Sequence, residues 1–141
     1  MKKLSVVIIS LVLLSCEAED NNTPTEPIDD IFDPTMATKL KMGEFVGVSG
    51  HSVSGMAATY EDTNGIKVVL LDPLNSQNGP DLKVYLSKDA NAGSYINLGD
   101  LKSTAGKQSY AIPGNPNLDE YPYVLIWCQQ FSVGFGRVEL Q

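Results

Sequence analysis

The stretch YPYVLIWCQQFSVGFG, residues 121–136, decides how the rest of the chain is read. It holds the longest apolar run outside the N-terminus, the single Trp (Trp127) and one of two Cys residues (Cys128). Residues 123–128 are rich in β-branched and aromatic side chains, and polar and Gly residues follow, so they read as a strand. FGRVEL, residues 135–140, reads as its returning, closing strand. Regular alternation sets Tyr123, Leu125 and Trp127 on one face and Val124, Ile126 and Cys128 on the other. Both sets are apolar, so parity does not say which face meets solvent; Trp127 is either partly exposed at a site or wholly core, with the core as the expectation.

The same β signal recurs on the N-terminal side. GEFVGV (43–48) is expected as one strand after a helical turn around 36–40. GMAATYE (55–61) is the next strand, and Asn64-Gly65 is a hairpin signal because both residues tolerate positive φ. IKVVLLD (66–72) is apolar on both faces and is therefore expected to be central. Residues 73–80 read as a loop. DLKVYLS (81–87) places Leu82, Val84 and Leu86 on one face. Short extended pieces follow at 95–98 and 108–112. Turn signals recur roughly every ten residues and no window carries helical periodicity. The fold expected is all-β: a single antiparallel β-sandwich or partly open barrel of about eight strands. Leu70, Leu82, Val84, Leu86, Leu98, Ile126 and Val138 are expected in its core.

The N-terminus reads as a delivery device. Lys2 and Lys3 precede LSVVIISLVLL (4–14), which is shorter than the ~20 apolar residues of a membrane-spanning helix but suits a signal peptide. Leu13-Leu14-Ser15-Cys16 resembles a bacterial lipobox, which implies cleavage before Cys16 and lipid on its sulfur; the alternative is an ordinary signal peptide. Residues 1–15 are thus expected as a lipoprotein signal peptide and 16–38 as a disordered, acidic, Pro-containing tether. Residues 39–141 form the single all-β domain. The acids after Cys16 resemble surface-export signals of some bacterial lipoproteins, or serve only as a solvated spacer. The expected location is the cell envelope, lipid-anchored to a bacterial membrane, in the first place the outer membrane.

The formal net charge is −7, yet from Lys39 onward eight Lys and Arg face ten Asp and Glu. The domain is close to neutral and carries no basic patch, which argues against nucleic acid as a partner. With Cys16 acylated, Cys128 is a lone thiol in an exported protein. Two readings stand: an inert core hydrophobe, or a redox-active thiol that cycles to sulfenate or forms a mixed disulfide with a partner protein. His51, the only His, lies in the turn-like GHSVSG (50–55). It is either a locally bonded turn residue or a neighbour that activates Cys128. There is no Cys-x-x-Cys, one His is too few for a blue-copper site, and no Gly-x-Ser-x-Gly appears, so no metal, no cofactor and no stand-alone enzyme are expected.

Taken in order, GEF (43–45), His51 with Gly55, LLDP (70–73), GPDLKVYL (79–86), LGDLK (98–102), GKQSYAIP (106–113), VLIWC (124–128) and FSVGFG (131–136) resemble the electron-transfer DM-thirteen domain family. The resemblance spans nearly all of residues 43–140. It implies a β-sandwich-like domain with one characteristic Cys acting in redox or electron transfer, and Cys128 is the position that matches. Trp127, Tyr110, Gly79 and Asp81 are the supporting positions within those motifs. The function expected is a membrane-anchored envelope lipoprotein with a Cys-based redox module. The alternative is a non-enzymatic binding or structural module with Cys128 in its core.

Overall fold

The computed structural model describes residues 22–141, so the expected signal peptide over residues 1–15 and the expected lipid site at Cys16 lie outside the described residues. Ten strands are present among them: β1 (Ile28–Asp29), β2 (Thr38–Glu44), β3 (Val46–Gly47), β4 (Val53–Glu61), β5 (Lys67–Ser76), β6 (Leu82–Ser87), β7 (Tyr95–Asp100), β8 (Ala105–Ala111), β9 (Tyr123–Cys128) and β10 (Val133–Glu139). They form two five-stranded sheets, ordered β1-β8-β5-β4-β2 and β3-β10-β9-β6-β7. All neighbours pair antiparallel except β1 and β8. Neither sheet closes on itself, so the expected all-β fold is a sandwich rather than a barrel. Eight of the strands have six residues or more; β1 and β3 are two-residue pieces at the sheet edges.

The core forms where the inner faces meet. Val69 and Leu71 of β5, Ala57 of β4 and Tyr110 of β8 face Leu82, Val84 and Leu86 of β6, Val124, Ile126 and Cys128 of β9, and Val138 of β10. Leu82, Val84, Leu86, Ile126, Val138 and Leu70 are buried as expected, whereas Leu98 is half-buried against the core. β5 is central, with β4 and β8 on either side. Its second apolar face is explained by a small cluster on the outside of that sheet, where Leu70, Ala58 and Tyr60 lie under Phe32 and Ala37.

That cluster corrects the expectation of a disordered tether over 16–38 for its described part, residues 22–38. From Asn22 the chain is strapped along the domain. Asn22 bridges Pro80. Asn78 Nδ2 donates to the Thr23 carbonyl (2.8 Å), Thr104 N–H to that of Pro24 (2.8 Å) and Ser103 Oγ to that of Glu26 (2.6 Å). Ile28 then pairs with Gly106, where an added Cβ would lie 2.0 Å from the Ile28 carbonyl oxygen; only a glycine lets the strap so close. The carboxylate of Asp30 ends the strap by accepting from Lys102 Nζ (2.9 Å) and from the Ser109 amide and hydroxyl (3.0 Å each). Composition misses this because the ordering comes mostly from backbone and polar bonds rather than from apolar burial.

Other local expectations shift. The helical turn lies at Pro34–Met36, capped by Asp33, and residues 38–44 are already strand. GEFVGV is not one strand: β2 stops at Glu44, buried Phe45 crosses the core edge, and β3 joins the other sheet. β5 continues to Ser76 through an irregularity between Leu71 and Leu74, so half of the expected 73–80 loop is sheet. In the β4–β5 turn only Gly65 is left-handed (φ 79°); the Asp62 carboxylate holds the turn by accepting from the Asn64 and Ile66 amides.

Candidate functional site

The sulfur of Cys128 lies at the C-terminal end of β9, on the inner face, and is fully buried (0% exposed). In the ladder Cys128 stands between Leu82 of β6 and Val133 of β10. It is the free cysteine among the described residues. Its Sγ–H donates to the Pro80 carbonyl at 2.9 Å, and the next amide, Gln129 N–H, donates to the Asp81 carbonyl at 3.1 Å. The turn over residues 79–81 is therefore clamped onto the end of β9 by two consecutive residues.

The turn is shaped to sit there. Asp81 adopts φ 58°, a left-handed conformation that Asp tolerates better than most residues, and its carboxylate reaches back to Lys83 Nζ at 2.9 Å. Lys83 also pairs with Asp100 across β7, and these two acids hold the ammonium pKa above its ordinary value. Gly79 is needed for space: an added Cβ would lie 2.5 Å from Phe135 Cζ. On its own side Phe135 stacks flat against the His51 imidazole, with centroids 3.6 Å apart and planes 8° apart.

His51 and Cys128 are thus joined through a layer rather than by direct bonding. The order runs imidazole, Phe135 ring, Gly79, Pro80 carbonyl, sulfur. The activating His–Cys hydrogen bond entertained from the sequence is not among the hydrogen bonds of this structure. His51 Nδ1 is buried with no hydrogen-bond partner. The cleft beside the ring is lined by Gly47, Ser52, Val53, Ser54, Asn75, Ser76 and Gln77, all uncharged. Ser52 and Gln77 fix its rim through paired bonds: Gln77 N–H to the Ser52 carbonyl (2.7 Å) and Ser52 N–H to Gln77 Oε1 (3.1 Å).

The remaining sequence candidates separate. Tyr110 bonds elsewhere: its hydroxyl donates to Gln108 Oε1 (2.7 Å) and accepts from the Lys102 amide (2.9 Å), and burial pushes its pKa up. Trp127 is not core. It lies half-buried on the outer face of the second sheet, above the bare backbone of Gly134 and beside Tyr85. Phe135 and Pro80 were not singled out from the sequence. The register of β9 against β6 brings Pro80 to the sulfur, β10 sets Phe135 against Gly79, and neither pairing is visible in a single strand. Among the described residues no group of three His, Cys, Asp or Glu is placed to hold a metal, and no helix is long and apolar enough to cross a membrane.

Fold and site together define a small β-sandwich module built around one cysteine. The chain belongs to the electron transfer DM13 family, whose profile matches residues 44–140. The match covers both the 79–81 turn and the β9–β10 hairpin, so the sulfur, the turn and Phe135 all lie within the family domain. Comparison with curated proteins and with solved structures gave no match.

Proposed function

We propose that the protein is an electron-transfer module of the bacterial cell envelope, anchored by lipid on Cys16 to the outer membrane, with Cys128 as its redox centre and another protein as its electron partner. The observation that carries this reading is the bond from Cys128 Sγ to the Pro80 carbonyl, within a turn and hairpin that the family match spans. The sulfur is held by a defined polar partner rather than lying loose among aliphatic groups. Its burial restricts its chemistry. A peroxide or a partner thiol must touch the sulfur to form a sulfenate or a mixed disulfide, and contact requires the 79–81 turn to open locally.

One observation favours a second reading. Cys128 is 0% exposed and belongs to the main core cluster, as an inert residue of a binding or structural module would. Alkylation of the intact protein separates the two. The redox reading expects labelling under native conditions at a rate independent of global stability. Labelling that appears only as the whole domain unfolds supports the inert sulfur. The anchor is tested separately by Cys16→Ser, which is expected to move the protein from the membrane to the soluble fraction. Retention of that variant in membranes would end the lipoprotein reading.

A further inference from the structure

The outer face of the second sheet carries a feature that the thiol reading leaves unused. β-strand parity points Trp127 and Leu125 of β9 and Tyr85 of β6 away from the core, yet Leu125 and Tyr85 are each only 1% exposed. No second layer of secondary structure is needed to cover them, because aromatic rings do it. Tyr95 of β7 lies flat on Tyr85, centroids 4.0 Å apart and planes 10° apart. Trp127 flanks Tyr85 from the other side at 6.2 Å and 25°. The three rings form a continuous row across β7, β6 and β9. Tyr95 is 44% exposed at one end, and Trp127 at the other immediately precedes Cys128 in the chain.

From this arrangement we propose that Tyr95, Tyr85 and Trp127 conduct single electrons between the protein surface and the strand that bears Cys128. The proposal deepens the electron-transfer reading and rests on it for its biological role. Tunnelling falls steeply with the gap between donor and acceptor, and centroids 4.0 and 6.2 Å apart keep each step along the row short. The partner class is a protein with a one-electron centre that docks over Tyr95 and never touches the sulfur.

The balance of the step is simple. A one-electron oxidant removes an electron from the indole of Trp127, whose N–H proton passes to water. The resulting indolyl radical takes an electron through Tyr85 and a proton from water. Tyr95 supplies that electron, releases its hydroxyl proton to solvent and becomes the phenoxyl radical. Tyr85 serves as the bridge and not the terminus because it is out of reach of water. Burial, with the Tyr95 hydroxyl beside it, pushes its own pKa up to about 12, so it sheds its proton reluctantly.

The single Trp makes the test clean. Azide radicals generated by pulse radiolysis oxidise Trp127 in the full chain, and absorption follows the indolyl and phenoxyl radicals in time. The expected result is loss of the indolyl signal matched by growth of the phenoxyl signal, at a rate independent of protein concentration. Tyr85→Leu, which removes the bridging ring, is expected to slow the transfer by about tenfold or more, since each ~1.4 kcal/mol added to the barrier costs a factor of ten, whereas Tyr85→Phe, which keeps the ring, leaves the rate nearly unchanged. Tyr95→Phe is expected to remove the phenoxyl product, while Tyr60→Phe in the opposite sheet leaves the transfer unchanged. A smaller slowing in Tyr85→Leu, a persisting phenoxyl signal in Tyr95→Phe, or a rate that scales with concentration overturns the path. Melting curves of each variant report whether the fold is intact. Transfer that persists in Cys128→Ser leaves the path standing even if alkylation shows the sulfur inert, so the two readings fail separately.

Discussion

Asp30→Asn is expected to loosen the N-terminal strap, by an amount that follows from the bonds that Asp30 makes. Its Oδ2 accepts from Lys102 Nζ, the Ser109 amide and the Ser109 hydroxyl, and Oδ1 accepts from the Phe32 amide at 3.2 Å. An Asn side chain has one acceptor oxygen, so one of these two sets then faces an NH2 group. The Lys102 pair is half-exposed and contributes at most about 1 kcal/mol. Bonds to a charged acceptor contribute about 1.5–3 kcal/mol against about 1 for neutral ones, so the expected total loss is about 2–3 kcal/mol. Burial alone would raise the Asp30 pKa, but the bonds from Lys102, Ser109 and Phe32 outweigh it and hold the carboxyl well below the ordinary range.

The sign of the pH dependence follows. The folded pKa is depressed, so the carboxylate's contribution is complete above the unfolded value of about 3.9 and is lost as pH falls through the folded value. Urea titrations of both proteins from neutral pH downward measure the difference. It is expected to be constant above about pH 5 and to shrink in acid. Hydrogen exchange at the Ser109 amide reports whether the loss is global or confined to the strap. A difference that stays flat down to about pH 2 would refute the assignment of the clamp to an ionised Asp30.

Two further substitutions probe the site and the core. Gly79→Ala drives a methyl into Phe135, which is held on its other face by His51, and is expected to cost about 1–3 kcal/mol in thermal melts. It should also shift the His51 ring resonances, since the stack must slide. Ile126→Ala, at a fully buried position between the sheets, is expected to cost about 2–5 kcal/mol with an unchanged denaturant slope.

The parts of the fold legible in the sequence are those in which one strand carries its own signal. β5 reads as central because both of its faces are apolar, and β6 declares its inner face through Leu82, Val84 and Leu86. β9 has the same two-faced pattern as β5 but a different cause. Its outward residues lie beside a tyrosine of their own sheet, since Tyr85 pairs with Leu125 in the ladder and its ring neighbours Trp127, so Trp127 is half-buried on the outer face and not in the core. The break at Phe45 is invisible because a strand that changes sheets keeps its alternation. At the site, Cys128 was legible as a lone thiol, but its depth depends on pairing with β6 and β10 and on the turn that Pro80 brings over it. The strap was illegible because its partners, Ser103, Thr104, Gly106 and Ser109, lie some eighty residues downstream.

The place where the strap begins has a geometric consequence. Asn22 sits on Pro80, and only five residues separate it from Cys16, six Cα steps that can extend no further than roughly 20 Å. On the proposed acylation of Cys16, so short a connection would keep the pole with Pro80 and Cys128 near the lipid headgroups. β7 runs antiparallel to β6 and carries Tyr95 at the opposite pole, so that ring would then face away from the membrane.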